Sequence, residues 1–347
     1  MPLSNGQIAE LLATAAEEQE GHRRRALGRA ARAAAFYWPE EAAALHSQGR
    51  SLTELTSVGP WLARQIAAWF DDPPEVPDPP PLRRGFLTLA EVRTTLSQNP
   101  DWAPSLRADL QMHTTYSDGK APLPEMVSEA RTYGYEHVAI TDHSKGLPIA
   151  RGMDEARLAA QGFEIGRMNE DLESSGDGFR ILRAIEMNIS PEGEGDMDLE
   201  ALRALDLVLG AFHSKLRVTE DQTDRYVAAL RNPTLNVLAH PRGRRFGVRL
   251  GLQADWQRVF EAAVVEDKAL EIDGFPDRQD LDVELLQLAR EVGVRISIGT
   301  DAHSTAELRF MEYGLAAAIR AGIPRERILN YLPRDQLLAW ARESRSA

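Results

Sequence analysis

From Ala108 onward the chain repeats one pattern, a short run of aliphatic and β-branched residues followed by a stretch with apolar residues at helical spacing. The runs lie at Ala108–Met112, His137–Thr141, Ile181–Met187, Leu205–Phe212, Asn236–Ala239, Ala269–Ile272 and Arg295–Ile298. Helical stretches such as Leu123–Thr132, Glu155–Leu172, Asp255–Glu266 and Val283–Val292 separate several of them. Strands that alternate with helices pair in parallel through right-handed crossovers. A closed barrel and an open doubly wound sheet both satisfy that pattern. The length per repeat and the lack of a Gly-rich nucleotide loop favour the barrel. The expected fold class is α/β, a distorted seven-stranded (β/α)7 barrel, with a small all-helical domain before it.

The preceding sequence divides in two. Residues 1–70 alternate Ala/Leu-rich and polar stretches at helical spacing, with Pro39, Gly49 and Pro60 as breaks, and read as a small helical domain. The run DDPPEVPDPPP, Asp71 to Pro81, can neither continue a helix nor enter a sheet interior, so residues 71–104 are expected to be a stiff linker and 105–347 the barrel. The polar, acidic start MPLSNGQIAELLATAAEEQE differs from a signal peptide, and no apolar run reaches membrane-spanning length, so a cytoplasmic protein without a membrane partner is expected. Cysteine is absent, which removes disulfides, thiolate nucleophiles and zinc–sulfur sites. A formal net charge of −13 argues against coating nucleic acid by bulk charge, although carboxylates that bind cations would be cancelled locally.

Metal-capable side chains collect where the strands end. Gln111, His113 and Asp118 follow the first run, Asp142 and His143 the second, and Glu186 ends the third. His213 follows the fourth, His240 the fifth, Glu271 and Asp273 end the sixth, and Asp301 and His303 follow the seventh. All strand C-termini of a β/α barrel open onto one face, so these residues converge. Imidazole and carboxylate without sulfur suit manganese or zinc, with iron also compatible, and so many donors imply two to three divalent ions. Such clusters acidify a water and neutralise phosphate oxygens, which makes phosphoester hydrolysis the natural chemistry. An amidohydrolase is the chemical competitor, but those sites often open with His-x-His, and the first of that pair is Gln111 here.

The segments DLQMHTTYSDG, AITDHS, AIEMNI, GAFHS, LAHPRGR, LEIDGFPDRQDLD and ISIGTDAHS resemble the successive motifs of the polymerase and histidinol phosphatase (PHP) superfamily. Their wording is closest to the C-terminal PHP domain of bacterial family X DNA polymerases. The resemblance implies three ions: one held by Gln111, His113, Glu186 and Asp301; a second by Glu186, His213 and His240, with Glu186 bridging; a third by Asp118, His143 and His303. Gln111 stands where the family usually has His, which implies a weaker ligand. Asp273 stands where family X domains tend to have Asn, which implies extra negative charge near the mouth.

The segments SNGQIAELLATAAEEQEGHRRRALGRAARAAA and SLTELTSVGPWLARQIAAWF are similar to the N-terminal DNA-binding domain of the same polymerases, which ends in a helix-hairpin-helix. In that element a glycine-containing hairpin offers backbone N–H groups to a DNA phosphate. Here Ser57-Val58-Gly59 keeps one glycine of the usual two, and Arg23, Arg24, Arg25, Arg29 and Arg32 are candidate phosphate contacts. The family's polymerase palm has no counterpart between the two segments, so polymerase activity is not expected. A Schiff-base lyase is not expected either, because the first lysine is Lys120.

Lys145, Arg151, Lys215, Arg242, Arg244, Arg245 and Arg278 lie on or near loops that follow strands. Arg242 and Arg244, directly after His240, are the expected substrate-phosphate contacts, and with Glu186 they make up the expected catalytic set. The expected function is a metal-dependent phosphoesterase acting on DNA backbone and strand ends, a 3′–5′ exonuclease or 3′-end-processing enzyme of DNA repair. A small-molecule phosphatase of the histidinol phosphate type is the alternative, and a DNA-binding protein with a degenerate site is a third.

Overall fold

The seven runs become seven parallel strands joined in chain order: β1 (Ala108–Asp109), β2 (His137–Ile140), β3 (Arg180–Asn188), β4 (Leu207–Ala211), β5 (Val237–Leu238), β6 (Ala269–Asp273) and β7 (Arg295–Gly299). They belong to a computed structural model that describes residues 2–345 and divides into two compact units, Met1–Asn99 and Pro100–Ala347. Residues 1, 346 and 347, at the ends of the expected domains, lie outside the described residues. Among the described residues no helix is long and apolar enough to cross a membrane.

In the first unit the helices are α1 (Asn5–Glu17), α2 (Gly21–Phe36), α3 (Ala42–Ser47), α4 (Pro60–Asp71) and α5 (Leu89–Gln98). The linker expected over 71–104 needs correction. The prolines hold only the stretch up to Pro81 out of regular helix; beyond it Arg83 pairs with Glu10 at 2.9 Å, and α5 starts on a capping box between Thr88 and Glu91. Leu87, Leu89, Ala90 and Val92 are buried, so this stretch belongs to the helical unit, which runs to Asn99.

In the second unit a helix follows every strand: α6 (Leu123–Thr132), α7 (Glu155–Ser174), α8 (Leu199–Arg203), α9 (Thr223–Leu230), α10 (Trp256–Val265), α11 (Val283–Val292) and α12 (Met311–Ala321), with α13 (Arg334–Glu343) last. The seam between β7 and β1 is closed by fewer contacts than a ladder supplies. Asp301 N–H donates to Gln111 O at 3.1 Å and His113 N–H to Ala302 O at 2.8 Å. At the opposite end the Asn330 side chain spans the seam, donating to Ala108 O and Ile298 O at 2.9 and 2.8 Å while accepting from Ile298 N–H at 2.8 Å. The result is a nearly closed barrel. Its interior packs Leu110, Leu182, Leu209 and Val237 among small alanines, and Leu337 and Trp340 of α13 pack into the same cluster.

Candidate metal centre

Every strand of the barrel except β6 delivers an expected ligand to one point, and Glu186 of β3 is at its middle. The Glu186 side chain is fully buried, and four imidazoles surround it: His240 Nε2 at 2.7 Å and His213 Nε2 at 3.2 Å from Oε1, with His143 Nδ1 at 3.2 Å and His113 Nε2 at 3.3 Å from Oε2. His113 Nε2 also lies 3.0 Å from Asp301 Oδ1. Asp118 Oδ1 lies 3.2 Å from His303 Nε2 and 3.6 Å from His143 Nε2. Three donor groups result, each with its atoms within 4.8 Å of one another: His113 with Asp118, His143 and His303; His143 with Glu186 and His213; His113 with Glu186 and Asp301. Of the first set expected from sequence, His113, Glu186 and Asp301 are therefore brought together, and the third set is brought together with His113 added. In the second, His143 joins Glu186 and His213, while His240 sits on Glu186 as a hydrogen-bond partner.

The surrounding backbone is shaped to hold these atoms. Asp142 was expected among the metal-capable residues, but the structure gives it another task. Its carboxylate accepts from Thr114 N–H at 2.8 Å, Ser117 N–H at 3.0 Å and Gln161 Nε2 at 2.6 Å, which folds the loop carrying His113 and Asp118. Gly119 lets that loop turn back, since a Cβ there would lie 2.7 Å from the His113 carbonyl. His240 and Asp301 both adopt left-handed backbone, at φ +28° and +50°, a strain that concentrates at functional positions. His303 Nδ1 donates to Asp301 O at 2.7 Å and His213 Nδ1 to Asn188 Oδ1 at 3.3 Å, leaving each Nε2 turned to the cluster.

The donors fit divalent cations. Gln111 Oε1 and His113 Nδ1 are buried without a hydrogen-bond partner, and Glu186 Oε2 faces the imidazoles of His143 and His113. Burial alone would raise the Glu186 carboxyl, but His143 and His240 hold it well below its usual value. Burial likewise opposes Asp118, which His303 nevertheless holds at about 2. Burial pushes His143 down to about 3. Ionised carboxylates and neutral imidazole are the ligating forms, so His303, which burial would lower but Asp118 and Asp301 raise to about 9, would have to release a proton to a cation. Gln111 is fully buried with neither amide atom bonded, and only the missing side chain of Gly299 leaves it room, because a Cβ there would sit 2.6 Å from Gln111 Cβ and 2.3 Å from Glu271 Oε1.

A family model described as the PHP domain matches residues 109–272. A probable phosphatase of Tolumonas auensis is 30% identical over 242 residues, covering 66% of this chain and 91% of its own length. The chain belongs to the PHP family. A DNA polymerase/3′-5′ exonuclease PolX of Bacillus subtilis is 38% identical over 226 residues, which is 65% of this chain; the chain spans only 39% of that relative's length. A solved histidinol phosphate phosphatase of Lactococcus lactis is 17% identical with a TM-score of 0.45, over 63% of this chain and 94% of that one.

With this donor set, the PHP barrel is a metal-dependent phosphoesterase. Its arginines need a correction. Arg242 and Arg244 do not stand open to a substrate: both donate to Asp282 Oδ2 at 2.7 Å, and their side chains are 15% and 4% exposed. Asp282 precedes α11, far along the chain, so nothing local in HPRGRR announced the pairing. Arg278, 31% exposed, instead reaches the cluster, with Nη1 2.6 Å from Asp301 Oδ2 and 3.4 Å from Asp273 Oδ2. Burial pushes the Asp273 carboxyl up to about 8, so near neutral pH it carries less of the negative charge expected of it. Glu271 is a buried carboxyl that the ligand sets did not include; its Oε2 accepts from His240 N–H at 2.8 Å. The only sign of it in the sequence was its place at a strand end.

Proposed function

We propose that the chain is a DNA-processing phosphoesterase, a 3′–5′ exonuclease or 3′-end-cleaning enzyme of DNA repair. The observation that carries this reading is the composition of α2 in the helical unit. Arg23, Arg24, Arg25 and Arg29 are exposed there, Arg32 is half-buried, and no acidic residue lies within the helix, in a chain of net charge −13. A phosphatase of small molecules has no use for such a surface, whereas a DNA backbone does. In the same unit Ser57 takes a left-handed conformation just before Gly59 and the start of α4, the expected place of a phosphate-binding hairpin. The exonuclease named for the Bacillus relative supports the reading.

In the barrel, Gln111, His113, Glu186 and Asp301 would hold one ion, Glu186 with His213 and His143 or His240 a second, and Asp118, His143 and His303 a third, with manganese or zinc the best-fitting metals. Bound cations supply an acidified water and neutralise the phosphate oxygens. The residues themselves fix the tautomers of His213 and His303 and place Arg278 beside the cluster. A phosphatase for small esters is the second reading, favoured by the high coverage of the Tolumonas relative. Manganese-loaded protein, assayed side by side on end-labelled single-stranded DNA, duplex DNA and histidinol phosphate, separates the two. Nucleotide release from a 3′ end is expected; turnover of histidinol phosphate alone would overturn the DNA reading.

A further inference from the structure

Two arginines at the barrel mouth have no carboxylate partner among the described residues. Arg217 lies in the loop after β4, and its Nη1 donates only to Val248 O, at 3.4 Å. Arg249 lies in the loop after β5, where its Nε donates to Gly243 O. That loop is a tight hairpin: Arg245 N–H donates to Arg249 O at 2.8 Å and Arg249 N–H to Arg245 O at 2.9 Å. Phe246 N–H donates to Asp277 O at 2.8 Å, and Arg245 Nε lies 3.1 Å from Asp277 Oδ2, which fastens the hairpin to the loop after β6. The next residue is Arg278, 2.6 Å from Asp301. The loops after β4, β5 and β6 are thus tied together and carry four guanidinium groups in a run that starts at the metal cluster. Burial, and then the charges of Arg278, Arg217 and Arg245, lower the pKa of Arg249, so these groups feel one another. Asp280 offsets part of that repulsion, and Arg245 and Arg278 lie against carboxylates of their own, Asp277 and Asp301. Val248 and Leu250, 47% and 48% exposed, flank the run with apolar surface of the kind a sugar or base can cover.

A phosphate monoester brings one phosphate, and the cluster with Arg278 suffices for it. Arginines set further out along the hairpin match a second phosphate, since guanidinium pairs with phosphate in a fork. We propose that Arg217 and Arg249, with Arg245 and Arg278, form a subsite for the phosphate adjoining the one cleaved, so that the barrel itself selects a polynucleotide strand over a monoester. This rests on the DNA-processing reading and gives it a structural basis inside the barrel, independent of the helical unit.

The test is competition against hydrolysis of an aryl phosphate by the full-length, manganese-loaded protein. Thymidine 5′-monophosphate and the 5′-phosphorylated thymidine dinucleotide are compared as inhibitors, and the ratio of their inhibition constants is read within each protein, so a general loss of activity cancels. The wild type should prefer the dinucleotide by about tenfold, the size of one charged hydrogen bond. Arg217→Gln with Arg249→Gln should bring the ratio close to one. Arg217→Gln alone, on an exposed loop residue with a single long hydrogen bond, should remove part of the preference even where the double variant folds poorly. A wild-type ratio near one, or a preference undiminished in both variants, overturns the subsite. Failure of the wild type to release nucleotides from a labelled DNA strand, by contrast, would overturn the DNA reading, while the ratio would still decide whether a second phosphate is bound.

Discussion

A neutral amide oxygen binds a transition-metal ion less tightly than imidazole does, so the position held by Gln111 should fill only at higher metal concentration. Gln111→His should shift the manganese activation curve to lower concentration and raise the metal retained after gel filtration, with little change in turnover at saturating manganese. Superimposable titrations would show that Gln111 is not a ligand. His137, at the start of β2, makes the opposite kind of prediction because it lies outside the ligand set. Burial pushes its pKa from 6.5 down to about 4, and neither ring nitrogen has a hydrogen-bond partner. The unfolded chain then binds more protons than the folded one between those values. Stability should be level above about pH 6.5 and fall as the pH drops towards 4, by at most about 3 kcal/mol. His137→Leu should flatten that fall in urea midpoints measured at pH 4.5 and 7; equal slopes would refute it. At this scale the proposed ligands could be picked out in the sequence because each lies at or just after the end of a strand. The roles of Asp142, Arg242 and Arg244 could not, because their partners Gln161 and Asp282 come from other segments.

Elements were legible where periodicity was strong and misread where a side chain ended them early. The expected strand Ala108–Met112 is only Ala108–Asp109 in the ladder, because the Asp109 carboxylate accepts from Gln111 N–H and Thr300 N–H, both at 3.2 Å, and draws the backbone towards the seam. Similarly, α5 was taken for linker because the preceding prolines dominated the composition, although Thr88 and Glu91 spelled a helix start. The end of the seam away from the ligands is bridged by one side chain. Asn330→Ala would strip the partners from buried Ala108 O, Ile298 O and Ile298 N–H. Some of these groups would find water, so a loss of roughly 2–4 kcal/mol is expected. Chemical denaturation would measure it, and a change under 0.5 kcal/mol would mean that the barrel closes without this bridge.

For the whole molecule, the charge of −13 and a DNA substrate are compatible only if cationic groups are concentrated where the strand runs. The sequence showed that concentration in α2 but could not show which of the barrel's arginines were already paired. Phosphate contacts release counterions, so the logarithm of the binding constant for single strands falls with the logarithm of salt by about 0.7 per contact. If α2 binds the backbone, replacing Arg23, Arg24, Arg25 and Arg29 together by Gln should make that slope shallower by roughly 1.5 to 3, as two to four contacts are lost. The helix should survive, because Gln is nearly as good a helix former as Arg and none of the four is buried. Fluorescence anisotropy of a labelled oligonucleotide, titrated at several salt concentrations with calcium in place of the activating metal, gives both slopes. The same protein should hydrolyse an aryl phosphate at the wild-type rate, since the ligands lie in the barrel. An unchanged slope would transfer the strand to the barrel arginines alone and leave α2 to another partner.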